Sequence, residues 1–214
     1  MSLINQKVSE ALRNYAPSEI TLGEMRDSAV LALIAEWESE QFMVLQVRTQ
    51  TVAHHKGEIS FPGGARDATD KNLRDTALRE TNEEMGIAPE SIEILGALND
   101  CQTYVSGYRI RPFVGLMVAE RETELSFQKA EREVRDVLVL PLETMMSPEV
   151  RIWHPVSRDG EMVPTRAYLV PNDGEEYLIW GATARILTNL FAIIDQVERR
   201  ELDEEGSKNL ELFA

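Results

Sequence analysis

The sequence predicts an α/β (α+β) fold in which a β-sheet is flanked by helices. Patterns typical of strands lie at residues 30–35, 42–48, 92–98 and 110–118. Residues 72–85 are instead good helix formers, and Gly86 follows them where a C-cap glycine belongs. Strand and helix patterns along one chain therefore favour a mixed architecture.

The other elements complete this prediction. The N-terminal segment carries Val8, Leu12 and Tyr15 at helical spacing, which predicts a helix over about residues 3–15. The strands at 30–35 and 42–48 are expected to pair as a hairpin. A second hairpin is expected around the turn signal Asp159-Gly160. The remaining expectations are a short helix at 142–146, hairpin strands at 150–156 and 162–170, loops at 99–107 and 120–131, and a final helix beginning within 179–187 and covering about 181–200.

Length and composition limit the class of protein. A chain of 214 residues favours one domain over residues 1–214. The net charge of −15 argues against a general nucleic-acid or anionic-membrane surface. No apolar run has the roughly 20 residues needed to span a membrane, and no signal peptide is visible. Cys101, the single cysteine, is expected to be a buried small residue in a reducing cytoplasm.

The stretch over residues 61–87 carries the chemistry. It opens with Gly63 and Gly64, where the backbone can turn sharply and approach a ligand. In the helix that follows, Glu80, Glu83 and Glu84 fall within about 100° of arc on one face. Such carboxylates repel one another unless a hard divalent cation holds them, although a solvated acidic face is the alternative. Asp67 and Asp70, in the loop between, are expected to order it and cap the helix.

The segment RETNEEMGI at residues 79–87 resembles the RExxEExGI core of the Nudix hydrolase box. The resemblance implies an α/β/α sandwich with a mixed β-sheet, a catalytic loop–helix–loop and extra N- and C-terminal helices. It also implies Mg²⁺ or Mn²⁺ as cofactor and hydrolysis of a diphosphate linked to another group. Asp70 stands where the general box has a glutamate, and Gly64 lies one residue further from Arg79 than in that box.

Three further pieces, FPGGxxDxxD, TALRE and IWGATARIL, are similar to those of the coenzyme A diphosphatase subgroup. This resemblance covers roughly residues 42–191. The subgroup carries an arginine in the loop before its glycines. Here Ala53 takes that position, with His54, His55 and Lys56 as nearby basic residues.

Site roles follow from the acidic helix and from the resemblance. Glu80 and Glu84 are the principal expected metal ligands, with Glu83 as ligand or neighbouring partner, and the resemblance adds the carbonyl of Gly64. The candidates for the general base are Glu80, Glu83 and Glu133. The expected substrate-binding residues are Arg48, His55, Lys56, Gly63 and Arg79. Arg48 has a surface ion pair as its alternative role, Trp180 is expected to be a core residue, and His154 is expected to be structural or exposed.

Two classes of function remain open. The first is a hydrolase that cuts coenzyme A or its thioesters to 3′,5′-ADP and (acyl-)phosphopantetheine, with ADP-ribose, a dinucleotide such as NADH or a nucleoside triphosphate as alternative substrates. The second is a Nudix-fold module that senses a nucleotide without hydrolysing it. In either class the partner is a small nucleotide diphosphate, and the terminal helices are plausible surfaces for a homodimer.

Overall fold

A computed structural model describes residues 3–21, 25–49, 57–103, 107–119, 127–158 and 160–211. Its central feature is a mixed β-sheet. The strands are β1 (Arg26–Trp37), β2 (Glu40–Arg48), β3 (Ile59–Ser60), β4 (Gly63–Ala65), β5 (Glu93–Ala97), β6 (Cys101–Gln102), β7 (Tyr108–Val118) and β8 (Val134–Pro141).

The order β3-β2-β1-β7-β5 forms the body of this sheet, with β4 against β1, β6 against β7 and β8 against β2. Strands β1 and β7 run parallel, whereas β1 and β2 form the expected antiparallel hairpin. Side chains alternate along β1, so that Leu31 and Leu33 pack on one face and Ala32 and Ile34 on the other. Both faces are therefore covered, as in a sandwich.

The first face carries helix α2 (Leu73–Met85), which contains the acidic residues. Its N-cap is Asn72, whose Oδ1 accepts a hydrogen bond from the backbone N–H of Asp75 at 3.0 Å. It ends at Gly86, which is in the left-handed conformation with φ 73°. The expectation that Asp67 or Asp70 caps this helix was wrong, because Asn72 lies at the position from which a side chain reaches the first free N–H groups.

The second face carries the remaining elements: α1 (Gln6–Asn14), α3 (Leu142–Met146), α4 (Gly181–Glu211) and a three-stranded antiparallel sheet of β9 (Arg151–Arg158), β10 (Glu161–Asn172) and β11 (Glu175–Ile179). Val8 and Leu12 of α1 are fully buried in this core. A homodimer stays a prediction, and it would have to use residues of α1 other than these two.

Several expectations are confirmed and others are not. Strands β9 and β10 form the expected second hairpin, although Asp159 of its turn lies outside the described residues. Strand β6 interrupts the predicted loop at 99–107, and β11 occupies Ile179, where the final helix was expected to begin. Most of the predicted loop at 120–131 is not described. None of the described helices combines the length and apolarity needed to cross a bilayer.

Candidate active site

Glu84 is the most deeply buried acid of helix α2, with 2% of its surface exposed. Its Oε2 accepts hydrogen bonds from the backbone N–H of Gly63 at 2.8 Å and from Nε2 of Gln46 at 2.9 Å. Its Oε1 lies 3.5 Å from Nη1 of Arg48. Burial raises the pKa of Glu84 to about 7, although the hydrogen bonds from Gly63 and Gln46 oppose this. This carboxylate is therefore held in a place that penalises its charge.

Glu80 lies one helical turn earlier, against the diglycine turn. A Cβ on Gly64 would lie 2.5 Å from Cδ and Oε1 of Glu80, so a side chain at Gly64 would displace this carboxylate. Burial raises the pKa of Glu80, while the neighbouring Arg79 lowers it. The negative charges of Glu83 and Glu133 raise it further. A glycine at position 64 thus allows the Glu80 carboxylate to lie this close to the backbone.

The turn at Gly63 depends on close backbone contact as well. Its φ is +151°, and a Cβ there would lie 2.3 Å from the carbonyl oxygen of Ala29 in β1. Only glycine allows β4 to approach β1 this closely. That approach directs the N–H of Gly63 at Glu84.

Arg79 connects the loop to the acidic helix. Its Nε and Nη2 donate to the two carboxylate oxygens of Asp70 at 2.9 and 3.1 Å. The same guanidinium lies 2.9 Å from Oε1 of Glu80 and 2.9 Å from Oε2 of Glu83. Asp70 also accepts from Oγ1 of Thr76 at 2.9 Å. Arg79 is therefore engaged by three carboxylates, and its expected contact with the substrate stays a prediction, in which a phosphate oxygen would replace one of them.

The other two expected bases lie towards solvent. The side chain of Glu83 is 57% exposed and its carboxylate is turned to Arg79. Glu133 is exposed and directly precedes β8. Its backbone is fixed by hydrogen bonds from its N–H to Ala130 and from the N–H of Thr49 to its carbonyl. Among the three candidates, only Glu80 is largely buried.

The expected phosphate ligands divide into two groups. Arg48 ends β2, its side chain is 21% exposed, and it points at the buried Glu84, so it is not a surface ion pair. Gly63 directs its N–H at Glu84 and lies in the same cleft. The positions of His55 and Lys56, and of Ala53 and His54, lie outside the described residues.

The donors in this cleft fit a hard divalent cation. Glu80 and Glu84 are oxygen donors, and burial disfavours the charge on both carboxylates, whereas the Gly64 carbonyl stays a predicted ligand. Within the described ranges, no three acidic, histidine or cysteine side chains converge closely enough to enclose an ion. A magnesium site needs no such cage, because Mg²⁺ keeps several waters and uses one or two carboxylates plus substrate phosphates.

The sequence analysis did not single out Gln46, and it missed the main role of Asp70. A polar residue inside the apolar run of β2 was the available signal for Gln46. Asp70 was expected to order the loop, and it does so by accepting from the N–H of Asp67 at 2.8 Å. Its stronger partner, Arg79, lies nine residues away and no local pattern indicates it. Cys101 is buried, as expected.

A groove of about 440 Å³ lies near this cleft. Residues 57–59 and Trp180 contribute to its walls together with Val47, Arg135, Glu176, Tyr177 and Leu178. The backbone of residues 57–58 pairs with Arg48, through the N–H of Gly57 and the carbonyl of Glu58. Oγ1 of Thr183 donates to the carbonyl of Ile59 at 3.1 Å. The segments GEISFPGG and IWGATARIL thus meet in space.

Comparison with known proteins agrees with this geometry. The NUDIX domain model matches residues 25–159. The chain is 30% identical over 187 residues to the Nudix hydrolase NudL of Pectobacterium atrosepticum, covering 87% of this chain and 92% of that protein. It is 33% identical over 165 residues to NudL of Enterobacter sp. (strain 638), covering 77% and 81% of the two chains.

A solved structure supports the fold. The MutT/nudix family protein from Enterococcus faecalis superposes with a TM-score of 0.51 at 14% identity, covering 87% of this chain and 66% of that one. The fold, the match over residues 25–159 and the identity to NudL agree with one another. This chain belongs to the Nudix hydrolase family and is a pyrophosphohydrolase of nucleotide diphosphate derivatives.

Proposed function

We propose that the protein is a Mg²⁺- or Mn²⁺-dependent diphosphatase that cleaves coenzyme A or its thioesters to 3′,5′-ADP and (acyl-)phosphopantetheine. The observation that carries the diphosphatase part is the pair of the half-buried Glu80 and the buried Glu84, which lie against the diglycine turn, with Arg48 facing Glu84. Burial that disfavours two adjacent negative charges supports a site built for a cation. Glu80, Glu84 and the carbonyl of Gly64 would hold it.

When bound, a divalent cation neutralises the diphosphate oxygens and lowers the pKa of a coordinated water. Arg48 supplies a positive charge at the same cleft, where a phosphate oxygen can replace Glu84 as its partner. Arg79 keeps Glu80 and Glu83 in place through its bonds to Asp70. The residues of the chain therefore position and neutralise the substrate before a bond is broken.

We assign Glu133 as the proton acceptor. The attacking water forms a bond to one phosphorus, its proton passes to the carboxylate, and the bridging oxygen leaves with the other phosphate. Glu133 is exposed, and it is close enough to Glu80 for its negative charge to raise the pKa of Glu80. The other two candidates have different roles in this proposal, because Glu80 binds the cation and Glu83 forms an ion pair with Arg79. Replacing Glu133 with Gln should lower kcat while leaving Mn²⁺ affinity unchanged.

Coenzyme A is favoured as substrate by the groove beside the cleft. The segment GEISFPGG, which contains the FPGG of the coenzyme A subgroup, and the segment IWGATARIL lie far apart in sequence and meet at this groove. Tyr177 and Trp180 give it aromatic surface, and Arg135 places one cation in its wall beside the acidic Glu58 and Glu176. A substrate with a long non-nucleotide arm and an additional phosphate can place the arm on this aromatic surface and the phosphate near Arg135.

The test is a substrate panel. Purified protein is incubated with Mg²⁺ or Mn²⁺ and with coenzyme A, acetyl-coenzyme A, ADP-ribose, NADH and nucleoside triphosphates, and the products are separated by chromatography. We expect 3′,5′-ADP from coenzyme A at the highest kcat/KM, and none from Glu84→Gln. A higher kcat/KM for another member would reassign the substrate. Tight binding of one member without turnover of any would indicate the nucleotide-sensing module instead.

A further inference from the structure

Gln46 places an amide in the buried centre of β2. The residue is fully buried. Its Nε2 donates to Oε2 of Glu84 at 2.9 Å and makes a longer contact, 3.4 Å, with the carbonyl of Phe61. Since both partners are acceptors, the amide nitrogen has to face them. The amide therefore has one orientation in which it can serve Glu84.

The bonds to Glu84 are divided unequally between its two oxygens. The N–H of Gly63 and the amide of Gln46 both donate to Oε2. Oε1 faces Arg48, at 3.5 Å from Nη1. Two donors on one oxygen fix the plane of the carboxylate and leave the other oxygen directed at the cleft. Such bonds orient a ligand and raise the affinity of a metal site.

The amide of Gln46 is not explained by stability alone. Its Oε1 is one of two buried side-chain polar atoms in the described part of the chain that have no hydrogen-bond partner; the other is Oγ of Ser60. Ser60 is paired directly opposite Gln46 between β3 and β2. A buried acceptor without a partner destabilises a fold, whereas methionine would fill similar space without that penalty. A polar group retained here at such a cost supports a role at the neighbouring Glu84.

We propose that Gln46 is a positioning residue, which orients Glu84 so that one carboxylate oxygen is presented to the divalent cation. This rests on the proposed function, because it takes Glu84 as a cation ligand. Gln46 does not contact the substrate, so it acts through Glu84.

The test compares Gln46→Met with Gln41→Met. Gln41 lies in the same strand, is 6% exposed and bonds to the backbone N–H of Ile4, away from Glu84. Mn²⁺ affinity is measured from the electron paramagnetic resonance signal of free Mn²⁺, and independently from the rise in Tm on adding Mn²⁺. We expect about a 10-fold loss of affinity in Gln46→Met. Gln41→Met should keep wild-type affinity, whatever its effect on Tm.

Wild-type Mn²⁺ affinity in Gln46→Met would overturn the proposal, as would an equal loss in both variants, which indicates general loosening of the strand. Gln46→Asn covers the case in which the methionine variant does not fold. It keeps the amide but withdraws it by one methylene, and we expect a loss of about 3-fold; wild-type affinity there counts against the proposal. Failure of the proposed function is distinguishable, because the wild-type protein would then bind no Mn²⁺ and turn over no substrate.

Discussion

Replacing Asp70 with Asn tests whether the loop before helix α2 controls the active site through Arg79. The carboxylate of Asp70 is 4% exposed and accepts bonds from Nε and Nη2 of Arg79, Oγ1 of Thr76 and the N–H of Asp67. An amide has the same shape but has one acceptor oxygen and no charge. Asn at this position would therefore present an NH₂ group to one of these donors.

The expected loss of stability in Asp70→Asn follows from the pKa of Asp70. The hydrogen bond from Arg79 is the main reason that the pKa of Asp70 falls from 3.8 to about 2. One pKa unit corresponds to about 1.4 kcal/mol, so the native state favours this charge by roughly 2 kcal/mol. Leaving a buried donor unpaired adds about 1–3 kcal/mol. We expect the free energy of unfolding to fall by about 3–5 kcal/mol, or Tm by roughly 6–20 °C for a chain of this size.

The assay combines thermal unfolding with steady-state kinetics, and Asp67→Asn is the matched control. Asp67 is exposed and accepts only from Thr69 among the described bonds. We expect Asp67→Asn to leave Tm and kcat unchanged. At temperatures below the Tm of the variant, Asp70→Asn should lower kcat about 10- to 100-fold, because Arg79 no longer holds the Glu80 carboxylate in place. An Asp70→Asn protein with wild-type Tm would refute the pairing, and one with wild-type kcat would refute the link to Glu80.

Three further predictions follow from the same contacts. Gly64→Ala should lower kcat about 100-fold with little change in Tm, because its Cβ would lie 2.5 Å from the Glu80 carboxylate; Gly115→Ala, whose Cβ would lie 2.8 Å from a core side chain, should instead lower Tm and keep kcat. Glu84→Gln should abolish turnover, and circular dichroism should show an intact fold, because Gly63 and Gln46 can still donate to the amide oxygen; turnover near the wild-type rate would refute the metal assignment. Because the pKa of Asp70 is lowered, its stabilisation is complete above pH about 4 and is lost as the pH falls through about 2, so acid titration of Tm in this window should show a slope that Asp70→Asn lacks.

The sequence predicted the elements whose patterns are local. The apolar run of β1 and the capping glycine of α2 depend on neighbouring residues, and both are found where expected. Strand β11 was missed because residues 175–179 open with two glutamates and carry no alternation, and the strand exists through its pairing with β10. Long-range pairing is a property of the fold that a short window of sequence does not contain.

The contacts of the active site divide in the same way into local and long-range ones. The acidic face of α2 and the pair Arg79–Glu83 follow from helical spacing, and the ion pair is present. Gln46 and Glu84 are 38 residues apart in sequence, and their bond requires β2 to lie beneath α2. Arg48 faces the buried Glu84 and not a surface partner, and its expected phosphate contact stays a prediction. Spacing along one helix could be read from the sequence, but contacts between the helix and the sheet could not.

Two buried carboxylates in this protein have pKa values that move in opposite directions, and the difference lies in their partners. Asp70 receives two bonds from a guanidinium, which lower its pKa to about 2 and keep it charged as part of the framework. Glu84 receives its short bonds from neutral donors, with Arg48 further away, and burial raises its pKa to about 7. Neutral donors orient a carboxylate without satisfying its charge. Arg79 thus pairs closely with Asp70, Glu80 and Glu83 and not with Glu84, which agrees with the proposal that Glu84 binds a divalent cation.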